Sequence, residues 1–597
     1  MMCSTTIRYG IFVLCFVVLF ATTLGLYETA PHIIVVMADD LGWNDVSFHG
    51  SDQIPTPNID ALGYNGIILN RHYVLPSSTP SRTAFFTGQY PIRLGMQGEG
   101  IQGGEPRGIP LNVRLLPEYL RGLGYTTKLI GKWHLGYYTL QHTPLHRGFD
   151  SFLGFYNSHV SYYDYKYSFQ NMSGYDMHRG DAPAYGSSDK YVTDLFTDEA
   201  IRIIQYHESS RPLYLQISHL AVHAPVESPH DYNNYDRQFI HIREINRRNY
   251  ARTVSRLDNS VGRIVQALGS RGMLKDSLIL FLTDNGAASI GKFRNYGSNY
   301  PLRGMKYTLY EGGVRGIAVL WSPRLHKTAR VCDDLMHVTD WLPTLYSIAG
   351  GNVKDLGEID GVNQWCMLNG SLPSARDKIL LNIDEISKTE GAIYKQFKLV
   401  RGSIEGGHYD GHYSHDINSN NFERFSPYEP RKSIQEDTPY IYTDIVLKSV
   451  VSESIARHLG DPVTQPSTMI QLRSEATVNC KPNKNYSFLT CNVTECLFDI
   501  NNDPCEMKNI AEQYSRISRE LDQFLEQYGR IIKRQIKIPI DWQADPRRTN
   551  NTWEPWLISN SEHEMMILNN SAAQLANLMY CVHIAIILVT ITCNSFI

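Results

Sequence analysis

Two adjacent pairs of oxygen-bearing residues, Asp39-Asp40 in "HIIVVMADD" and Asp284-Asn285 in "SLILFLTDNG", carry the first chemical signal. Each pair follows a short apolar run, so each sits where a strand ends. Oxygen donors from two strand ends can converge on one hard cation, and an all-oxygen set suits calcium or magnesium better than zinc. A single Asp-Asp after a strand is ordinarily a turn or a cap; a second pair turns the reading toward a metal. The cationic residues are more scattered. "GKWHLG" places Lys132 and His134 at alternate positions, on one side of an extended segment. His223 ends "AVHAP", and Lys306 lies in the glycine-flanked "PLRGMKYTLYEGGVRG". Alone, each is surface decoration or structural. Together with Arg82 they make a pocket for a small dianion facing the metal. At "SSTPSR" (Ser77–Arg82) a loop turns into a helix, and its N–H groups and positive dipole end suit an anion.

These residues need a scaffold of strands. "HIIVVMADD" (His32–Asp40), "PLYLQISHLAVHAP" (Pro212–Pro225), "SLILFLTDNG" (Ser277–Gly286) and "GIAVLWSP" (Gly316–Pro323) are apolar runs that end in polar or glycine-bearing loops. A helix lies between the second and third. Tyr250, Val254, Leu257, Val261, Ile264, Val265 and Leu268 hold one apolar face until Gly269 and Gly272. Strand and helix in alternation predict an α/β fold with a mainly parallel sheet covered on both faces. In such sheets ligands bind beyond the carboxyl ends of the strands, where the named residues stand.

After about residue 380 the texture changes. Residues 401–433 are rich in Gly, His, Tyr, Asn and Ser without periodicity and read as a long loop; His408, His412 and His415 belong to a solvated part of it near the pocket mouth. A helix follows around Ser515–Tyr528. The expected organisation is a signal peptide (1–25), a large domain (31–380), a smaller C-terminal α+β domain (381–548) and a polar, then apolar, tail (549–597).

The balance of 56 Lys+Arg against 60 Asp+Glu, without a basic run, argues against nucleic acid as the partner. The N-terminus has a lone Arg8, an apolar run from Ile11 to Phe20 and small residues before Gly25, the layout of a secretory signal peptide. Sequons at Asn171, Asn369, Asn485, Asn492, Asn550 and Asn569 then read as glycan sites. Four cysteines crowd into Cys480–Cys505, as in a disulfide-stapled secreted region. Cys496 with Cys505, and Cys332 with Cys366, are candidate pairs, though spacing alone leaves connectivity open. The tail "LMYCVHIAIILVTITCNSFI" follows small residues and has no basic flank, which matches a glycolipid-anchor signal, with a terminal membrane span or an artefactual tail as the alternatives.

In order, "MADDLGWNDVSFHG", "TPSRTAFFTGQYPIRLGMQ", "GKWHLG", "LTDNG", "PLRGMKYTLYEGGVRG", "HVTDWLPTL" and "LFDINNDP" resemble the sulfatases of the alkaline-phosphatase-like fold, of the arylsulfatase B type. The resemblance spans about Pro31 to Arg548. It implies that Asp39, Asp40, Asp284 and Asn285, with the side chain at 78, hold one Ca2+. It implies that Arg82, Lys132 and His134 hold a catalytic aldehyde hydrate, and that His223 and Lys306 grip the sulfate and assist the leaving group. The implied substrates are aryl sulfates or sulfated carbohydrate, with N-acetylgalactosamine 4-sulfate in glycosaminoglycans as the candidate ester. The implied location is the secretory pathway, whether lysosomal, extracellular or anchored at the cell surface.

One position departs from that pattern. The family's Cys-x-Pro-Ser-Arg, whose cysteine becomes formylglycine, is here Ser78-Thr79-Pro80-Ser81-Arg82. A hydrated aldehyde has one hydroxyl to attack sulfur and a second to expel sulfate; serine has one. Two expectations follow: a sulfate-ester hydrolase in which Ser78 is modified or attacks directly, or a sulfatase-like protein that binds calcium and sulfated glycans without turnover. Phosphatase chemistry on Ser78 is the weakest reading, since no zinc-type histidine motif accompanies it.

Overall fold

The computed structural model describes residues 30–187, 189–230, 239–413, 438–460, 463–480, 491, 495–535 and 538–558. The segment read above as a signal peptide, residues 414–433 with His415, the sequons at Asn485, Asn492 and Asn569, and the tail beyond residue 558 lie outside them.

The large sheet contains β1 (His32–Ala38), β2 (Ile67–Leu69), β3 (Thr126–Lys132), β4 (Ser151–Phe155), β5 (Leu213–Ser218), β6 (Ser277–Thr283), β7 (Ala318–Trp321) and β8 (Arg330–Cys332). Its order is β8-β2-β7-β6-β1-β5-β3-β4, extended past β4 by the short strands His178–Arg179 and Ala182–Pro183 to ten strands in all. Every residue of β1, β5 and β6 is buried, as expected of strands covered on both faces. β1 lies between β5 and β6 and runs parallel to both; β3 and β4 continue the parallel run.

The covering helices include α1 (Pro57–Tyr64), α2 (Ser78–Thr87), α3 (Val192–Tyr206) and α4 (Ile245–Ser270). In α4 the residues at the predicted spacing, Tyr250 to Leu268, are buried against the sheet side of the core. "GIAVLWSP" forms β7, but β7 runs antiparallel to β6 and to β2, so this side of the sheet is mixed. The reason lies in the connection. From Asp284 to Ile317 the chain stays at the carboxyl end of β6 and makes only the short helix Glu311–Val314, without a crossover. That return loop is what brings Lys306 to the strand ends.

A second, antiparallel sheet follows: β9 (Lys378–Asp384), β10 (Thr389–Tyr394), β11 (Phe397–Arg401) and β12 (Cys496–Asp499). One face carries Ile379, Leu381, Ile393 and Val400 against Tyr73, Tyr310 and Val314 of the large domain. The other carries Leu380, Ala392 and Leu399 against Leu521 and Leu525 of the C-terminal helix Ser515–Gly529. The intervening helices Thr438–Leu447, Val450–Leu459 and Pro466–Ala476 pack on the large domain instead. Tyr442 Oη donates to Asp60, Val451 N donates to Asn58 Oδ1, and Val446, Val451 and Met469 join the main core.

The cysteine pairing differs from the local reading. Cys480 joins Cys505 and Cys491 joins Cys496, while Cys332 and Cys366 are free. Cys496 opens β12 and turns back to Cys491 rather than across the Asn-Asp-Pro turn. Cys332 ends β8 buried beside Met367 Sδ at 3.4 Å, whereas the neighbouring Cys366 is exposed. Among the described residues no helix is long and apolar enough to cross a membrane.

Candidate active site

The register of the parallel strands assembles the site. Ala38 faces Thr283, so Asp39-Asp40 and Asp284-Asn285 leave adjacent strands side by side. Asp284 N donates to Ala38 O at 3.2 Å, and Asp40 N to Asp284 Oδ1 at 3.2 Å. On the other flank Met37 faces Ser218, and Val222 N donates to Asp39 O at 2.8 Å, which carries the chain after β5 to His223. β3 can deliver Lys132 because Gly131 precedes it. A Cβ at Gly131 would lie 1.9 Å from Ser218 O, and its φ is +94°. Ser78 is the first residue of α2, after an extended Ser77. The turn is fastened by Ser81 Oγ, which accepts from Leu75 N at 2.9 Å and donates to Leu75 O at 3.1 Å.

Ser78 Oγ lies 3.3 Å from both Asp39 Oδ1 and Asn285 Oδ1 and accepts from Lys132 Nζ at 3.2 Å. Lys132 also donates to Asp39 Oδ2 at 2.7 Å. Arg82 Nε and Nη2 donate to Asp284 Oδ2 at 3.2 and 2.9 Å. Lys306 Nζ lies 2.8 Å from each Asp40 oxygen and 3.4 Å from His223 Nε2. Asn285 Nδ2 donates to Asp40 Oδ1 at 2.6 Å. All ten residues named for the site, His134 included, are buried.

The donor set fits a cation. Two acceptor oxygens, Asp39 Oδ1 and Asn285 Oδ1, converge on Ser78 Oγ, and one hydroxyl proton cannot satisfy both. Asp39, Asp40 and His223 offer ligand atoms within 4.8 Å of one another. An ion drawing on Asp39, Asp40, Asn285 and Asp284 oxygens would meet a hard, all-oxygen environment. Asp284 is here turned to Arg82, so its part in such a set requires sharing its carboxylate.

His134 departs from the extended reading. β3 ends at Lys132, and His134 follows with a left-handed φ of +54°. It reaches the cavity with Nε2 donating to Ile101 O at 2.9 Å and Nδ1 unpartnered. Burial, then the Lys132 cation, holds its ring well below the usual histidine range. His223 is held down in the same way by burial and then Lys306 and Lys132. Its Nδ1 donates to Ala224 O, which leaves the Nε2 lone pair toward Lys306. Burial pulls both lysines down. At Lys132 it prevails over Asp39; at Lys306, Asp40 and its neighbours more than offset it and raise the ammonium.

These groups floor a cavity of about 370 Å³. Ser78, Lys132, His134, His223 and Lys306 line it; Arg82 and the acidic residues stand behind. Of its outer wall, Asn382 and Asp384 from the small domain's β9 were not legible in the sequence, whereas Glu405 and Tyr409 come from the loop after β11 that was expected near the pocket mouth. His159 stacks on His223 with ring centres 5.1 Å apart, a neighbour that its position in the chain does not announce. Of the three histidines assigned to a solvated loop, His408 is exposed, but His412 is buried with Nε2 donating to Cys505 O at 2.8 Å.

Comparison with known proteins gives a consistent picture. The family model described as Sulfatase matches residues 31–351. Mouse arylsulfatase J is 33% identical over 531 residues, covering 88% of this chain and 80% of that protein. Mouse N-acetylgalactosamine-6-sulfatase is 34% identical over 354 residues, 56% of this chain and 65% of that protein. Among solved structures, Ps i-CgsB in complex with k-i-k-neocarrahexaose superposes with a TM-score of 0.64 at 23% identity, over 87% of this chain and 98% of that one. The PsFucS1 sulfatase from Pseudoalteromonas sp. does so with 0.57 at 21%, over 86% and 92%. At such identities the likeness concerns the fold.

Proposed function

The chain belongs to the sulfatase family, and from that premise we propose that its cavity takes the sulfate ester of a sugar against Ser78. The observation that carries this reading is the contact set of Ser78 Oγ, with Lys132, Asp39 and Asn285 all within 3.3 Å at the floor of a cavity whose inner end also carries Lys306. Lys132 and Lys306 neutralise the sulfate oxygens, while Arg82 holds Asp284 and backs the floor. As Oγ attacks, an Oγ–S bond forms and the ester S–O bond breaks. Asp39 Oδ1 is the basic atom within reach of the Ser78 proton, since the Asn285 amide oxygen cannot take it. The departing oxygen receives a proton from the Lys306 ammonium, with neutral His223 positioned beside it. Calcium, held by Asp39, Asp40, Asp284 and Asn285, would polarise the ester oxygens and favour an ionised attacking oxygen.

Serine ends this sequence as a sulfate ester of its own side chain, with no second hydroxyl to release sulfate. We therefore assign turnover to protein in which residue 78 is oxidised to formylglycine, and single capture to protein in which it remains serine. Mass spectrometry of the Ser78 peptide from secreted protein separates these states, since the aldehyde is lighter than serine by one H2. An unmodified peptide, together with no release of 4-nitrocatechol from its sulfate, leaves calcium-dependent binding of sulfated glycans as the function. A Ser78→Cys variant is expected to gain turnover if it acquires the aldehyde; aldehyde without turnover would overturn the assignments of Lys132, His134, His223 and Lys306.

N-acetylgalactosamine 4-sulfate is the ester we put forward; the mouse N-acetylgalactosamine-6-sulfatase among the relatives supports the sugar, and the 4-position rests on the arylsulfatase B resemblance alone. The N-terminal segment and sequons support a secretory route, to a lysosome, the cell surface or the medium. We place the domain boundary near residue 378, where β9 starts.

A further inference from the structure

Resting on the reading of the cavity as a sulfate-ester site, we infer that its outer wall selects a sulfated sugar whose neighbour is uncharged and rejects one joined to a uronate. The inner end is cationic, but the wall beyond it is not. Glu99, Asp384 and Glu405 line it, and among the described lining residues Lys292 is their cationic counterpart. Glu99 and Glu405 are exposed, and Asp384 is buried to 8% exposure. A second negative group carried past the sulfate would meet this excess of carboxylates, of which the buried Asp384 is the least screened and Glu99 and Glu405 add a repulsion that salt weakens.

The acidic wall is a built feature of the fold. In β9, Ile379 and Leu381 face the large domain, whereas Leu380 and Ile383 face the C-terminal helix. Strict alternation would send residue 382 to the helix side with Leu380. Instead the register slips between Leu380 and Asn382, a bulge that puts Asn382 and Asp384 on the large-domain side, at the cavity. Asp384 is then held in place: Ile386 N at 3.0 Å, Ser387 N at 3.3 Å and Gln535 Nε2 at 2.8 Å all donate to its Oδ1. Phe293, Tyr307 and Tyr409 add ring surface suited to the apolar faces of a sugar. At about 370 Å³ the cavity lies near the small end of the ligand-pocket range of about 300–1,000 Å³, so one ring and its sulfate fill it and the next sugar meets the wall.

The test is calorimetric binding in the Ser78→Ala background, where no sulfate can be captured covalently, using N-acetylgalactosamine 4-sulfate joined to galactose and the same sugar joined to glucuronate. The galactoside is expected to bind about tenfold more tightly or better. The gap should narrow as salt is raised. It should also narrow in Asp384→Asn, which keeps the Oδ1 acceptor, and in Glu405→Gln, an exposed position that spares the fold. 4-Nitrocatechol sulfate should bind the Ser78→Ala background and its variants alike. Equal binding of the two disaccharides, or a gap unchanged in both variants and by salt, overturns the inference while leaving the sulfate-ester site intact. Failure of all the probes, 4-nitrocatechol sulfate included, overturns the functional reading and this one with it.

Discussion

Two clusters of buried charge sit close together in this protein and behave differently. At the strand ends Asp39, Asp40 and Asp284 meet Arg82, Lys132 and Lys306, yet acceptor oxygens still converge on one hydroxyl and the cluster opens into a cavity. At the seam between the sheets Lys398 lies between Glu311 and Glu506 at 2.9 and 2.8 Å, on the large-domain face of β11 beside Val400. There the lone pairs have other donors. Tyr73 Oη and Arg315 reach Glu311, and Glu311 N donates to Glu506 Oε2 at 2.7 Å. Burial pushes both carboxyls up; Lys398 and Arg315 outweigh it at Glu311, and it prevails at Glu506, helped by the neighbouring Glu311. Burial of charge therefore does not mark a site. Acceptor oxygens left short of donors, facing open space, do.

The largest effect expected from this contrast is at the seam. Lys398→Met leaves two carboxylates facing each other without their cation, and is expected to cost about 3–5 kcal/mol in chemical denaturation. Sulfate-probe binding by the remaining folded fraction should be unchanged; a loss below about 1 kcal/mol would mean that the seam is as loosely satisfied as the strand ends. The strand-end cluster should respond to an ion instead. Calcium at about a hundred times its dissociation constant is expected to add about 2.7 kcal/mol to the unfolding free energy, reversed by chelation. Asp39→Asn should abolish this increment, and its persistence would show that the converging oxygens are not the ligands.

A buried acid with no cation among its hydrogen-bond partners gives the smallest and sharpest control. Asp258 accepts from Asn58 N, Ile59 N and Asn58 Nδ2, and burial lifts its carboxyl to about 7 against those hydrogen bonds. The folded state therefore binds this proton more tightly than the unfolded chain. Its stabilising contribution is complete below the usual carboxylate value of 3.8 and is lost as pH rises through about 7. Relative to Asp258→Asn, the wild type should lose about 1–3 kcal/mol between pH 4 and pH 8, read from denaturation midpoints across pH. A flat difference would mean that amide hydrogen bonds alone can replace an ion pair.

How the second domain meets the first was the hardest part to read in advance. The helices of 438–476 follow the small sheet's first strands in sequence, but they pack on α1 and α4 through Tyr442 and Val451. Helical periodicity reports an apolar face and not the surface that will cover it. Cysteine spacing failed for a related reason: four residues near one another along the chain permit three pairings, and backbone geometry chose Cys480–Cys505 and Cys491–Cys496.

The amino-acid sequence alone determined the floor of the site. Metal-type oxygens, Lys132, His223 and the loop-to-helix serine each lie within a few residues of an apolar strand or helix start. Local patterning of that kind survives in one dimension, because a strand and the residue that ends it are covalent neighbours. The wall was decided only in three dimensions. Asp384 faces the cavity because a bulge reverses the alternation of β9; on the floor, Lys306 was named from the sequence but reaches the strand ends because β7 returns antiparallel without a crossover. Register and strand direction depend on contacts between distant segments, so no short stretch of the chain encodes them.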